Sequence, residues 1–167
     1  MFIFGIDPGK TGGIAALDSG GKIVDLWPMP VVNEEVSASL LAEIFTRFKR
    51  GDQTIEMVAI EKVQSLPRDG HVGAFRFGFS YGVARATVEA LGFSHTLIRP
   101  QEWMKVMHQG TRDNDDKKAR SFERATQLWP SEVTNFFASA RCKKPHSGLV
   151  EAALIARYYW EKNLKQK

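Results

Sequence analysis

Residues 2–18 read FIFGIDPGKTGGIAALD, and this stretch decides the fold class. Its first part, Phe2–Asp7, is a short apolar run of β-forming residues that stops at Pro8-Gly9, which predicts a buried strand followed by a turn. Thr11–Leu17 and Lys22–Trp27 flank a glycine-containing turn, so they predict two further strands in a hairpin. The chain therefore opens with three antiparallel strands, and Asp7 stands at the end of the first.

Beyond these strands, hydrophobic periodicity predicts helices and two further strands. The predicted elements are a helix over 36–49, a strand over 56–63, a helix over 72–91, a strand over 94–98 and helices over 101–107, 116–128 and 148–160. The two later strands need helical crossovers, so we expect them to be parallel. The order predicts an α/β fold with a ribonuclease H-like mixed five-stranded sheet, three antiparallel strands and then two parallel ones, flanked by helices. Any three-layer α/β sheet with a leading meander would give a similar order.

Composition sets the broad class of the protein. A chain of 167 residues suits one domain over residues 1–167, and its single cysteine, Cys142, excludes an intramolecular disulfide. We expect a cytoplasmic protein, because no apolar run is long enough for a membrane span and the first residues do not resemble a signal peptide. The 23 Lys and Arg exceed the 19 Asp and Glu, with the basic excess in residues 99–167, which favours a polyanion-binding face.

Carboxylates end two of the predicted strands. If the strands ending at Asp7 and Glu61 are neighbours in the sheet, the two carboxylates meet at one edge, where their repulsion favours a divalent cation between them. The alternatives are that Asp7 only begins the turn before Pro8 and that Glu61 pairs with Lys62. Taken singly, each residue fits a structural role as well as a catalytic one.

A third acid lies in the last predicted helix. Glu151 is the only acid between Glu132 and Glu161 and stands in an otherwise apolar segment. It could compensate the helix dipole, or it could join Asp7 and Glu61 in a site for a hard cation such as Mg²⁺ or Mn²⁺, which suits hydrolysis of a phosphodiester by activated water. His146 stands directly before the helix and is a further candidate ligand or general base.

Three motifs resemble those of RuvC-type Holliday junction resolvases: FGIDPG at 4–9 with GGIA at 12–15, AIEKV at 59–63, and GLVEAALIA at 148–156. The intervening segments also resemble phage and bacterial relatives of this family. The resemblance implies a Mg²⁺- or Mn²⁺-dependent crossover junction endodeoxyribonuclease that cuts four-way and other branched DNA in recombination and repair. It implies a symmetric homodimer without a nucleotide cofactor. The implied site residues are Asp7, Glu61 and Glu151 as metal ligands and Lys118 as a basic catalytic residue. His146 joins them as a candidate metal ligand and catalytic residue because of its position before the last helix.

One departure from the family pattern leaves an alternative open. The family usually has an Asp or His three or four residues before the last acid, where this chain has Gly148 and Ser147. Either His146 replaces that ligand, or the protein binds junctions with weak or no cleavage. A kinase-like enzyme shares the Gly-Ile-Asp-Pro-Gly opening, but it would need a further phosphate-binding glycine motif, and the sequence has none.

Basic residues follow the second and third motifs, and aromatic residues are interleaved with them. Phosphate contacts supply affinity independent of sequence, and an exposed aromatic ring can stack on an unpaired base. The interleaved aromatic residues are Phe75, Phe77 and Trp103. Core packing is the alternative for each Phe, and Phe75 is the better wedge candidate. The candidate DNA-binding residues are Arg68, Phe75, Arg76, Lys105, Lys117, Lys118, Lys143 and Lys144. The Gly- and Ala-rich helix over 72–91 could form a dimer interface or pack on the sheet.

Overall fold

The computed structural model describes residues 1–49, 54–62, 64, 70–112 and 115–165. The strands are β1 Phe2–Asp7, β2 Gly13–Asp18, β3 Ile23–Pro28, β4 Val31–Val32, β5 Glu35–Val36, β6 Ile55–Glu61 and β7 His95–Ile98. The helices are α1 Ala38–Arg47, α2 His71–Ala90, α3 Pro100–Met107, α4 Lys117–Leu128 and α5 Ser147–Asn163, with a 3₁₀ helix at Pro130–Phe136. None of the helices in these residues is both long enough and apolar enough to cross a membrane.

The main sheet has five strands in the order β3-β2-β1-β6-β7. Strands β1, β2 and β3 pair antiparallel, whereas β6 pairs parallel with both β1 and β7. The β2–β3 turn is built by Asp18, whose Oδ1 accepts the backbone N–H groups of Gly20 and Lys22 at 2.9 Å, while Gly21 supplies a φ of 75°. The predicted mixed sheet is confirmed.

Alternate residues of the central strands face two different hydrophobic cores, as the period of a strand requires. Ile3, Ala15 and Leu17 lie in the core that contains α5, together with Trp103 of α3. Phe4, Ile14, Ala16, Val58 and Ile60 lie in the opposite core, which contains α1 and the second half of α2. The sheet is therefore the middle of three layers, and both of its faces are covered.

Helix α5 lies directly on the backbone of β1 and β2. A Cβ atom at Gly5 would stand 2.0 Å from the carbonyl oxygen of Ala152, and one at Gly148 would stand 2.3 Å from the carbonyl carbon of Gly12. No side chain fits at either position without moving the helix. This contact fixes the start of α5 beside the end of β1.

The structure adds two elements that the sequence does not predict. One is the 3₁₀ helix, and the other is a second hairpin, β4–β5, whose strands of two residues are too short to show a period. The tip of that hairpin is Asn33-Glu34, and both residues have a positive φ, 49° and 69°. Helix α1 begins at Ala38, later than predicted, because Ser37 Oγ caps it by accepting the N–H of Leu40.

The glycines of α2 do not pack on the sheet. A Cβ at Gly73, Gly78 or Gly82 would have no atom within 4 Å, and the buried residues of α2 are instead Ser80, Ala84, Thr87 and Val88. The first half of this helix also exposes large apolar side chains, with Val72 at 66% and Phe75 at 75% exposure. The sheet-packing alternative therefore fails for these glycines, and α2 presents an apolar surface to a partner or to solvent.

Candidate active site

Two carboxylates meet at one end of the sheet because their strands are parallel neighbours. Asp7 is the last residue of β1 and Glu61 the last of β6, and each follows the paired residues Ile6 and Ile60. Glu151 reaches the same end from α5. It lies in the second turn of the helix, beyond the first turn where dipole compensation acts, so that alternative is wrong.

The three carboxyl groups influence one another and are poorly solvated. Burial raises the pKa of Asp7 to about 6, partly opposed by the Gly9 N–H and Lys118. Burial raises the pKa of Glu61 to about 7, and the charge of Asp7 adds to the rise. Burial, followed by the charges of Asp7 and Glu61, raises the pKa of Glu151 to about 8. A cluster whose charges disfavour one another in this way is typical of a functional site.

Two side chains from other elements complete the cluster. Lys118 lies near enough to lower the pKa of both Asp7 and Glu151, and Asp116 fixes it in the first turn of α4 by accepting its backbone N–H at 2.9 Å. The indole Nε1–H of Trp103 donates to Glu61 Oε1 at 2.8 Å. The interpretation that Glu61 pairs with Lys62 is therefore wrong, since its observed partner is Trp103.

The chemistry of the donors fits a hard divalent cation, because three clustered carboxylates that repel one another are relieved by a positive charge among them. As the side chains stand, no set of three His, Cys, Asp or Glu in the described ranges is arranged to hold a metal ion.

His146 has a structural role that the sequence does not reveal. It is the N-cap of α5, and its Nδ1 accepts the backbone N–H of Leu149 at 3.3 Å. Burial lowers the pKa of the imidazole, which keeps it neutral and able to accept this hydrogen bond. Only Nε2 is therefore left to face a ligand or a proton.

Gly148 cannot carry the acid that the family usually has in this region, because a Cβ there would overlap the backbone of Gly12. Ser147 precedes it and lines a cavity of about 470 Å³ between α4 and the start of α5. Of the two positions, only 147 has room for a longer side chain.

We expect Gly148→Ala to lower the free energy of unfolding by about 2 kcal/mol or more, because the added methyl group must push α5 away from the sheet. Gly82→Ala is the matched control. It also lies within a helix, but in open space, where alanine stabilises a helix relative to glycine by up to about 1 kcal/mol. Urea denaturation of the two variants measures the difference. Equal free energies of unfolding for Gly148→Ala and Gly82→Ala would contradict the close contact between Gly148 and Gly12.

The predicted DNA-binding lysines divide between two cavities. Lys105 and Lys117 line a cavity of about 590 Å³ between α3 and α4, together with His108. Lys118, whose charge lowers the pKa of Asp7 and Glu151, lines the cavity of about 470 Å³ together with Lys144. Lys143 is exposed on the segment before α5. Of these lysines, Lys118 is the one whose charge acts on the carboxylate cluster in the described residues.

The predicted aromatic residues differ in how exposed they are to solvent. Phe75 is exposed at 75%, and Arg76 lies beside it on α2, so both remain available to a ligand. Trp103 is fully buried, which makes the interpretation of it as a stacking residue wrong. Arg68 lies outside the described residues, as does part of the segment 109–116 that the sequence predicts to be a loop.

Lys10 is a basic residue near the site that the sequence analysis does not single out. It lies in the β1–β2 turn three residues after Asp7 and forms an ion pair with Glu34 of the β4–β5 hairpin. Its position directly after the first motif is the signal that could have identified it.

Comparison of the fold with solved structures gives similar chains, whereas no family model and no curated protein matches the sequence. RuvC of T. thermophilus in complex with a Holliday junction substrate has 17% identity and a TM-score of 0.65, over 98% of both chains. Another T. thermophilus RuvC structure has 17% identity and a TM-score of 0.63, also over 98% of both. The yeast mitochondrial Holliday junction resolvase Ydc2 has 13% identity and a TM-score of 0.52, over 98% of this chain and 80% of that one.

These matches span nearly the whole chain, and TM-scores of 0.52 to 0.65 over that length indicate a shared fold. The carboxylates, Lys118 and the cavities lined by basic residues all lie within the fold that these matches share. The chain therefore has the ribonuclease H-like fold of RuvC.

Proposed function

We propose that this protein is a divalent-cation-dependent endonuclease that cuts the phosphodiester backbone of four-way DNA junctions. The observation that carries the proposal is the cluster of Asp7, Glu61 and Glu151, whose raised pKa values reflect burial and, for the two glutamates, the neighbouring carboxylates. Such a cluster is costly to a fold unless a cation uses it. The likeness to RuvC bound to a Holliday junction supports the choice of DNA substrate.

Each residue of the cluster has a separate part in this proposal. Asp7, Glu61 and Glu151 would hold Mg²⁺ or Mn²⁺, which when bound supplies Lewis-acid activation of water and offsets charge on the phosphate. Trp103 holds Glu61 in place by its indole N–H. Lys118 brings a positive charge to the carboxylates and would offset the negative charge that develops on the phosphate oxygens.

A four-way junction has two equivalent strands to cut, so we propose a symmetric homodimer with one site for each strand. The exposed first half of α2 supports this, because its glycines allow close approach and its apolar side chains are uncovered in the single chain. Phe75, the most exposed of the large apolar residues, remains the candidate for stacking on an unpaired base at the branch point.

A second candidate function is junction binding with weak or no cleavage. The observation that favours it is Gly148, since the close contact with Gly12 excludes an acid where relatives usually have one. His146 can compensate only through Nε2, because its Nδ1 is used in capping α5.

Incubation of the protein with an end-labelled four-way junction and Mg²⁺ or Mn²⁺ separates the two functions. We expect paired nicks at symmetric positions in opposite strands, and none when EDTA replaces the ion. Tight binding of the junction without nicks under either ion would favour the second function. Equal cutting of a linear duplex would contradict specificity for branched DNA.

Two adjacent lysines allow a matched test, because Lys117 lines the α3–α4 cavity whereas Lys118 faces the carboxylates. We expect Lys118→Gln to slow cleavage of bound junction about tenfold or more with a small change in Kd. Lys117→Gln should mainly raise Kd and reduce the salt dependence of binding by about one phosphate contact. Single-turnover cleavage and filter binding measure the two effects. If the two variants have the same cleavage rate and the same Kd, the two lysines do not have the separate roles proposed here.

A further inference from the structure

The tip of the β4–β5 hairpin has an unusual backbone. Asn33 and Glu34 both have a positive φ, and Glu34 at 69° lies in the left-handed region that asparagine and glycine tolerate better than glutamate. The conformation projects the Glu34 side chain, which is 84% exposed, toward Lys10. A hairpin turn of this kind is usually formed by Asn-Gly, so a glutamate stands here where its backbone conformation is unfavourable.

The contact that Glu34 makes joins the hairpin to the active-site turn. Its carboxylate forms an ion pair with Lys10 across 24 positions of the chain. Lys10 is 42% exposed, and an exposed ion pair contributes little to stability. The ion pair therefore adds little to the free energy of unfolding and does not by itself explain a glutamate at this tip.

A second cation faces the same carboxylate. Arg76 of α2 lies close enough to add to the effect of Lys10 in holding the pKa of Glu34 below its usual range. Lys10, Glu34 and Arg76 line a cleft of about 150 Å³ between the hairpin and α2, with Phe75 and Phe79 along its apolar side. Two cations from separate elements thus converge on one exposed carboxylate.

The cleft adjoins the catalytic carboxylates. Gly9, the neighbour of Lys10, lies between α2 and β1: a Cβ there would stand 3.4 Å from the ring of Phe77 and 3.9 Å from Asp7 Oδ1. A DNA strand with one phosphate at the carboxylate cluster would therefore bring an adjacent part of its backbone to this cleft.

We propose that Lys10 and Arg76 form a binding site for a DNA backbone phosphate, and that the Glu34 carboxylate occupies this site until DNA displaces it. The inference rests on the proposed function, because it takes DNA as the ligand. A carboxylate and a phosphate present similar anionic oxygens to lysine and arginine, so one can replace the other. Glu34 thus competes with DNA, and removal of its charge strengthens DNA binding.

The test is the Kd of Glu34→Gln for a four-way junction and for a linear duplex of equal length, in EDTA and over a range of salt concentrations. Glu35→Gln is the matched control, because Glu35 is exposed and also lines the cleft but is not the partner of Lys10, so the variant removes the same charge without removing the ion pair. We expect Glu34→Gln to bind both DNAs about threefold or more tighter than Glu35→Gln. The slope of log Kd against the logarithm of salt concentration should also be steeper for Glu34→Gln than for Glu35→Gln, by about one released counterion.

A double-mutant cycle with Lys10→Gln tests the displacement itself. We expect Lys10→Gln to weaken DNA binding more in the Glu34→Gln background than in the wild type, where Glu34 already neutralises the lysine. Equal effects in the two backgrounds, or a Kd for Glu34→Gln equal to or weaker than that of Glu35→Gln, would overturn the inference. If the wild-type protein binds neither DNA, the proposed function fails instead.

Discussion

Asp7→Asn and Glu61→Gln are each expected to reduce junction cleavage by at least about 100-fold while Kd for the junction changes by less than about threefold. The two acids end neighbouring parallel strands and share one cluster with Glu151, so either substitution removes a carboxylate that the proposed cation needs. The basic side chains proposed to bind DNA lie on α2, α3 and α4, in the β1–β2 turn and in the segment before α5, and they are unchanged by these substitutions. Phosphate contacts therefore persist after cleavage is lost.

The controls are Glu56→Gln, an exposed position on the same strand as Glu61, and Asp25→Asn, an exposed position on β3. Both make the same chemical change away from the cluster and should cut at close to the wild-type rate. The measurement is single-turnover cleavage of labelled junction at saturating protein, with filter binding in EDTA for Kd. Cleavage by either Asp7→Asn or Glu61→Gln at the rate of its control would exclude the proposed site.

The part of the fold that the sequence predicts is the part governed by local patterns. Strand β1 is an apolar run that stops at Pro8-Gly9, and the turn at Asp18 has the glycines it needs, so the three strands of the meander can be predicted to within two residues at each end. The order of the later elements requires parallel pairing, which places Asp7 beside Glu61. The meeting of these two carboxylates follows from topology and needs no knowledge of packing.

The remaining features depend on contacts between distant residues, which no local pattern contains. Trp103 stands among basic residues as a stacking aromatic would, yet it is buried and donates to Glu61 across 42 positions. Gly148 resembles an ordinary helix-start glycine until its distance to Gly12 is known. The pairing of Lys10 with Glu34 likewise depends on a hairpin of two-residue strands that has no measurable period.

Glu151→Gln is expected to stabilise the protein at pH 8 in the absence of divalent ions, by about 2 kcal/mol or more. Burial and the charges of Asp7 and Glu61 raise the pKa of Glu151 from 4.5 to about 8, so ionisation is harder in the folded state than in the unfolded chain. Between these two pH values the unfolded chain binds fewer protons, and the free energy of unfolding falls as pH rises. Glutamine cannot ionise, so the variant does not lose this free energy of unfolding as pH rises. Near pH 5 it should be only slightly more stable than the wild type.

Urea denaturation at pH 5 and pH 8 in EDTA measures the effect, with Glu43→Gln on the exposed face of α1 as a control that should change stability by less than about 0.5 kcal/mol. Asp7 and Glu61 have pKa values raised in the same direction, so the wild-type protein should also lose stability from pH 5 to pH 8.

Added Mg²⁺ should raise the Tm of the wild type at pH 8 more than that of Glu151→Gln, because an ion that binds only the folded state stabilises it by mass action. A variant less stable than wild type at pH 8, or equal responses of the two proteins to Mg²⁺, would mean that Glu151 supports the fold rather than a cation. The same carboxylates that the proposal assigns to cleavage are thus expected to destabilise the free protein, and the two effects can be measured separately.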